Sequence, residues 1–135
     1  MSYIGIWSEH AQAYALVLTA VTFFAFSALI FFRPLFWARM LLWKIPEETD
    51  LTIYFARCLG SFAIVTNLMF LRAGLDGVGL AIMLEFFTLF CLLMVIVHIW
   101  GALEGTQPIT ETLEIGFWSG LVVLNLLFYP GMVDG

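Results

Sequence analysis

The chain is short of charge. Only 11% of its 135 residues are charged, against 63% that are hydrophobic, where soluble domains carry about 25% charged residues. A chain this small has much surface for its volume, and it lacks the polar groups to cover that surface. This excludes a soluble globular domain, and most of the exterior is expected to face lipid or other protein. Positive charge is scarcer still. Five Lys and Arg stand against ten Asp and Glu, for a net charge of −5. Nucleic-acid binding needs a basic face and is excluded.

Cysteine and histidine are equally sparse. Cys58 and Cys91 show neither CxxC spacing nor a metal-ligand pattern, so there is no disulfide framework. Both read as small apolar side chains within helices. His10 and His98 are expected on opposite sides of a membrane, which argues against a bis-histidine haem or a His-based metal centre within one chain. No nucleophile–base pair, glycine-rich phosphate loop or metalloprotease signature occurs. No catalytic residue, cofactor or metal is assigned from the sequence.

What the chain does have is long apolar runs. They cover about residues 13–32, 51–71, 78–100 and 115–130. A bilayer-crossing helix needs about 20 mostly apolar residues. The expected fold class is therefore all-α, an integral membrane four-helix bundle forming a single transmembrane domain over residues 1–135. The first run shares only its position with a signal peptide, because it has no basic flank and is too long for an h-region. Between the first two runs, Arg33, Arg39 and Lys44 alternate with Phe36, Trp37 and Trp43. That mixture suits a short interfacial segment over about 34–45, or an ordinary turn with aromatic anchors. Pro34 ends or kinks the first helix. Pro46 with Glu47, Glu48 and Asp50 reads as the start of the second.

Three of the five basic residues lie in the first loop, Arg72 in the second and none in the third. The positive-inside rule then predicts cytoplasmic first and third loops, with both termini outside.

Helical spacing predicts which faces meet. Ala56, Gly60, Ala63 and Asn67 form one stripe of small and polar side chains on the second helix. Gly77, Ala81, Glu85 and Thr88 form another on the third. Small residues permit close approach and polar ones bond across it, so the two stripes are expected to meet with Asn67 near Glu85. Glu85 is expected to be protonated and bonded, or to serve as a proton- or ligand-binding group. Arg57 and His98 are expected in a second polar layer with Glu104 or Glu114. There they serve as a snorkelling ion pair or as a site for an anionic-lipid or quinone head group. Gly116 and Gly120 form a GxxxG pair for helix packing within or between chains.

The segment ARCLG at residues 56–60, then Arg72, His98 and EGTQP at 104–108, resembles the small four-helix scaffold proteins of sterol synthesis in the endoplasmic reticulum. The resemblance covers roughly the second half of the chain, and no function is carried over from it. The function expected from the residues is that of an accessory, assembly or scaffold subunit. Its partners would be membrane lipids and either further copies of itself or a larger membrane complex. One alternative is a small carrier or channel-like protein using Glu85. Another is a membrane enzyme acting on a lipid or quinone through Arg57, His98 and the acidic third loop.

Overall fold

A computed structural model describes residues 3–132. It is helical, with no strand among the described residues. Helix α1 runs Ser8–Phe32, α2 Pro34–Met40, α3 Asp50–Asp76, α4 Leu80–Glu104 and α5 Ile109–Leu127. A 3-10 turn, Pro130–Met132, follows. Three helices, α1, α3 and α4, are long and apolar enough to cross a membrane. Helix α5 stands apart from them. It has 19 residues and carries Glu111, Glu114 and Asn125, and at 1.5 Å per residue it spans roughly 28 Å.

The helices do not stop where the apolar runs stop. Backbone hydrogen bonding carries α3 through Arg72 to Asp76, and α4 on to Glu104. Each ends on a glycine in the left-handed region, Gly77 at φ +76° and Gly105 at φ +65°, where a side chain would be strained. The expected start of the second helix at Pro46 is corrected to Asp50. The fourth apolar run, expected over 115–130, is corrected to a helix that begins after Pro108 and ends at Leu127. Its early start is chemically sensible, since Glu111 sits in the first turn, where the helix dipole favours an anion. The interfacial stretch condenses to seven-residue α2. Leu42, at φ +64°, closes it where glycine is usual, with Leu42 N–H donating to Arg39 O and Trp43 N–H to Ala38 O, both at 3.0 Å.

Packing joins α1 to α3 and α4 to α5. Gly60, Asn67 and Gly74 lie seven residues apart on one buried face of α3. That face meets α1, not α4 as the sequence stripe implied. A Cβ on Gly60 would sit 2.7 Å from Phe31 N, and one on Gly74 would sit 2.9 Å from a Leu16 methyl. By contrast, α3 and α4 meet through rings, with centroid separations of 6.1 Å for Phe62–Phe86 and 5.5 Å for Phe70–Phe87. Bulky rings hold those two helices apart, whereas glycines let α1 and α3 close. The buried centre comprises Ala15, Leu18, Leu84, Cys91, Trp118 and Leu121 with their neighbours.

Both ends of the bundle are tied. At one end, the N–H groups of Gly5 and Trp7 donate to Leu126 O and Leu127 O, each at 2.9 Å. The Gly77–Gly79 turn lies at the same end, where Gln12 donates to Gly74 O at 3.3 Å. At the other end, the segment after α2 is held to the start of α5 by the Thr110 hydroxyl donating to Leu41 O and by Trp43 donating to Glu111. The terminal residues 1–2 and 133–135 lie outside the described residues, so the expected position of the chain ends is carried only by their neighbours.

Candidate functional site

The most concentrated chemistry lies where α4 and α5 converge near the α2 end. His98 is 2% exposed. Its Nδ1 lies 2.6 Å from Met94 O. A carbonyl only accepts, so Nδ1 carries the hydrogen. Nε2 faces two carboxylates, 3.0 Å from Glu111 Oε2 and 3.4 Å from Glu114 Oε2. The acids come from α5 at positions three apart, which places them on one helical face. Each acid accepts from an indole: Trp43 Nε1 donates to Glu111 Oε1 at 2.6 Å, and Trp118 Nε1, one turn on along α5, donates at 3.1 Å to the Glu114 Oε2 that also faces His98. Gln107 Nε2 donates to His98 O at 2.8 Å, fixing the loop between the helices.

This cluster forms a wall between two hollows. Inward lies a cavity of about 170 Å³. It is lined by Phe26, Phe87, Phe90 and Trp118 among others, and Glu111 and Glu114 are its only acidic lining groups among the described residues. Its exposed lining residues, Leu59 and Phe62 on α3 and Phe86 on α4, mark an opening between those helices, where the rings keep the backbones apart. Outward, a more open hollow of about 430 Å³ reaches His98 and Glu111 past Trp43 and Glu104.

A second polar group lies across the cavity. Helix α1 widens into a π turn at Phe23–Ser27. Next to it, Asn67 Nδ2 donates to Thr22 Oγ1 at 2.7 Å, and Ser27 Oγ donates to Asn67 Oδ1 at 2.5 Å. Buried Asn67 is thereby satisfied by α1.

The residues singled out from sequence therefore separate. The structure puts His98 with Glu114, and adds Glu111. Glu104 lines only the outer hollow. Arg57 lies on an exposed face of α3 and makes no ion pair within 4.0 Å among the described residues, so it does not join His98. Its long side chain is free to reach the headgroup region. The expected Asn67–Glu85 contact is replaced by two separate ones. Asn67 turns to α1, and Glu85, on an exposed face of α4, accepts the Tyr129 hydroxyl. Ala56 and Ala81 are half-buried, Ala63 lines the inner cavity, and the Thr88 hydroxyl donates to Leu84 O of its own helix at 2.7 Å. Gly116 and Gly120 face open space, with nothing within 4 Å of an added Cβ.

Sequence reasoning missed Glu111, Trp43 and Trp118. Residues 101–114 read as a loop, so the i, i+3 pair on α5 was hidden. Pro108 followed by Glu111 was the available signal for an earlier helix start. It also missed the tie between α1 and α5, in which the Tyr14 hydroxyl donates to Asn125 Oδ1 at 2.6 Å. No family model, curated protein or solved structure matches the chain.

Proposed function

We propose that this is a four-crossing membrane protein that holds a lipid-class molecule in its lateral cavity. The apolar chain of the ligand lies among the phenylalanine rings, and its polar end points toward Glu111 and Glu114. The observation that carries this reading is the cavity itself. It is walled by aromatic side chains, opens between α3 and α4, and has its acidic groups on one wall. Binding sites commonly combine an apolar lining with a few convergent polar groups. In a bilayer, an opening between helices admits a ligand from the membrane plane, with no path through water. Helix α5 supplies the fourth crossing in this proposal, and the basic first loop sets the cytoplasmic end.

The carrier reading draws no comparable support, because Glu85 lines neither of the two hollows described. The accessory-subunit reading keeps one specific support. Gly116 and Gly120 present an open GxxxG face on α5 that nothing among the described residues covers, and such faces pack against another helix.

The test is extraction in a membrane-derived nanodisc followed by mass spectrometry of what travels with the protein. One lipid species should be enriched over the bulk membrane at close to one per chain. It should be lost on Ala63→Phe, which fills the cavity. A lipid profile equal to bulk for both proteins would overturn the binding proposal. Stoichiometric co-purification of a second protein would favour the accessory role instead.

A further inference from the structure

We infer that His98, Glu111 and Glu114 form a site for a first-row divalent transition metal ion. The inference goes beyond the lipid reading and does not depend on it, since it rests on the cluster and not on the cavity.

Geometry comes first. Metal–ligand bonds of about 2.1 Å in a tetrahedral arrangement put neighbouring donor atoms roughly 3.4 Å apart. From His98 Nε2 the two carboxylate oxygens lie at 3.0 and 3.4 Å, and all three donor atoms lie within 4.8 Å of one another. Two helices supply the ligands, His98 from α4 and the acid pair from α5, so no loop has to fold around the ion.

The protonation pattern points the same way. The bond to Met94 O holds the imidazole hydrogen on Nδ1. That turns Nε2 toward the two carboxylates, and in the neutral Nδ1–H ring all three inward atoms are acceptors. Three acceptors gathered in a buried place need a positive species between them, a proton or a metal cation. Metal-bound histidines characteristically give their other ring N–H to a carbonyl or carboxylate, and ligating carboxylates are themselves hydrogen-bonded. Here Met94 O and the Trp43 indole supply the outer contacts of His98 and Glu111, and the Trp118 indole donates to the Glu114 oxygen that faces His98, which keeps a second lone pair for an ion.

One nitrogen and two oxygen donors suit Zn²⁺, Fe²⁺ or Mn²⁺ better than soft ions, which prefer sulfur, or Mg²⁺ and Ca²⁺, which take all-oxygen shells. Three protein ligands leave at least one coordination position for water or a ligand group. Both hollows reach the cluster, because Glu111 lines each of them.

The test uses the purified full chain in detergent, stripped with chelator and then titrated with Zn²⁺ by calorimetry and with Co²⁺ by visible absorption. The wild type should bind one Zn²⁺ per chain and give d–d bands with Co²⁺. Glu114→Gln and His98→Gln should each weaken binding at least tenfold and abolish the Co²⁺ bands. Trp43→Phe, which removes only the donor to Glu111, should weaken it by about tenfold. Helicity of the stripped variants, checked by circular dichroism, separates loss of the site from loss of the fold. Glu114→Gln keeps the side-chain size and removes one of two adjacent like charges, so it should fold without metal. A folded wild type that binds no Zn²⁺ at 100 µM ligand would overturn the inference and leave a proton as the bridging species. So would equal binding by the wild type and the folded Glu114→Gln and His98→Gln variants.

Discussion

At the scale of single residues, Asn67 and Glu85 show what position in a helix does and does not determine. Both are polar side chains in apolar helices, and each has to find a partner. The sequence gives the depth and the face of each, and at those coordinates they look like partners for one another. The partners they take, Thr22 with Ser27 and Tyr129, are a threonine and a serine beside a π turn and a tyrosine beyond the end of α5, and no helical period announces either. Because they occupy separate networks, Asn67→Leu and Glu85→Gln should be additive in stability to within about 0.5 kcal/mol. Asn67→Leu and Thr22→Val should instead couple, by about 0.6 kcal/mol and no more than roughly 1.7 kcal/mol, the range for bonds between membrane helices. Double-mutant cycles from reversible unfolding in mixed micelles measure both. Coupling between positions 67 and 85 with none between 67 and 22 would restore the arrangement read from sequence. His98 was legible as a buried polar residue near acidic groups. Its tautomer was not, because that depends on where Met94 O points.

At the scale of elements, the small-residue stripe on α3 was legible but its partner was not. Periodicity shows which residues share a face, and three helices compete to cover it. What decides is shape. Helix α1 brings its backbone against Gly60 at Phe31, while α4 offers Phe86 and Phe87 to α3 and stays back. Gly60→Ala should therefore be destabilising by about 1–3 kcal/mol, since its Cβ would stand 2.7–2.8 Å from the backbone of Phe31. Gly116→Ala, whose added Cβ meets nothing within 4 Å among the described residues, should change monomer stability by less than about 0.5 kcal/mol. Mixed-micelle unfolding of the two variants side by side checks this, and a harmless Gly60→Ala would mean that α1 and α3 are not in close contact. The start of α5 shows the opposite difficulty. An acidic, polar stretch reads as a loop when apolar runs define the elements, yet helical hydrogen bonding needs no apolar side chains. Glu111 sits in that overlooked first turn, three residues ahead of Glu114.

At the scale of the whole molecule, the scarcity of charge and the long apolar runs were legible from composition alone, and the count of long helices nearly follows from them. Three helices meet the length and apolarity of a membrane span. Helix α5 carries the two acids of the candidate site and is not among the three helices that meet that criterion. In the proposed reading α5 runs beside α4 through the bilayer, and the lateral cavity and the placement of His98, Glu111 and Glu114 toward the basic end both rest on that. Cysteine labelling across a sealed membrane tests this most directly. In a background with Cys58 and Cys91 replaced, single cysteines at Ile4, Val78 and Pro130 should all react with an impermeant reagent from the non-cytoplasmic side. Cysteines at Glu47 and Gly105 should react only from the cytoplasmic side. Labelling of Pro130 from the same side as Gly105 would contradict the four-crossing account, because α5 would then lie along the membrane and not across it.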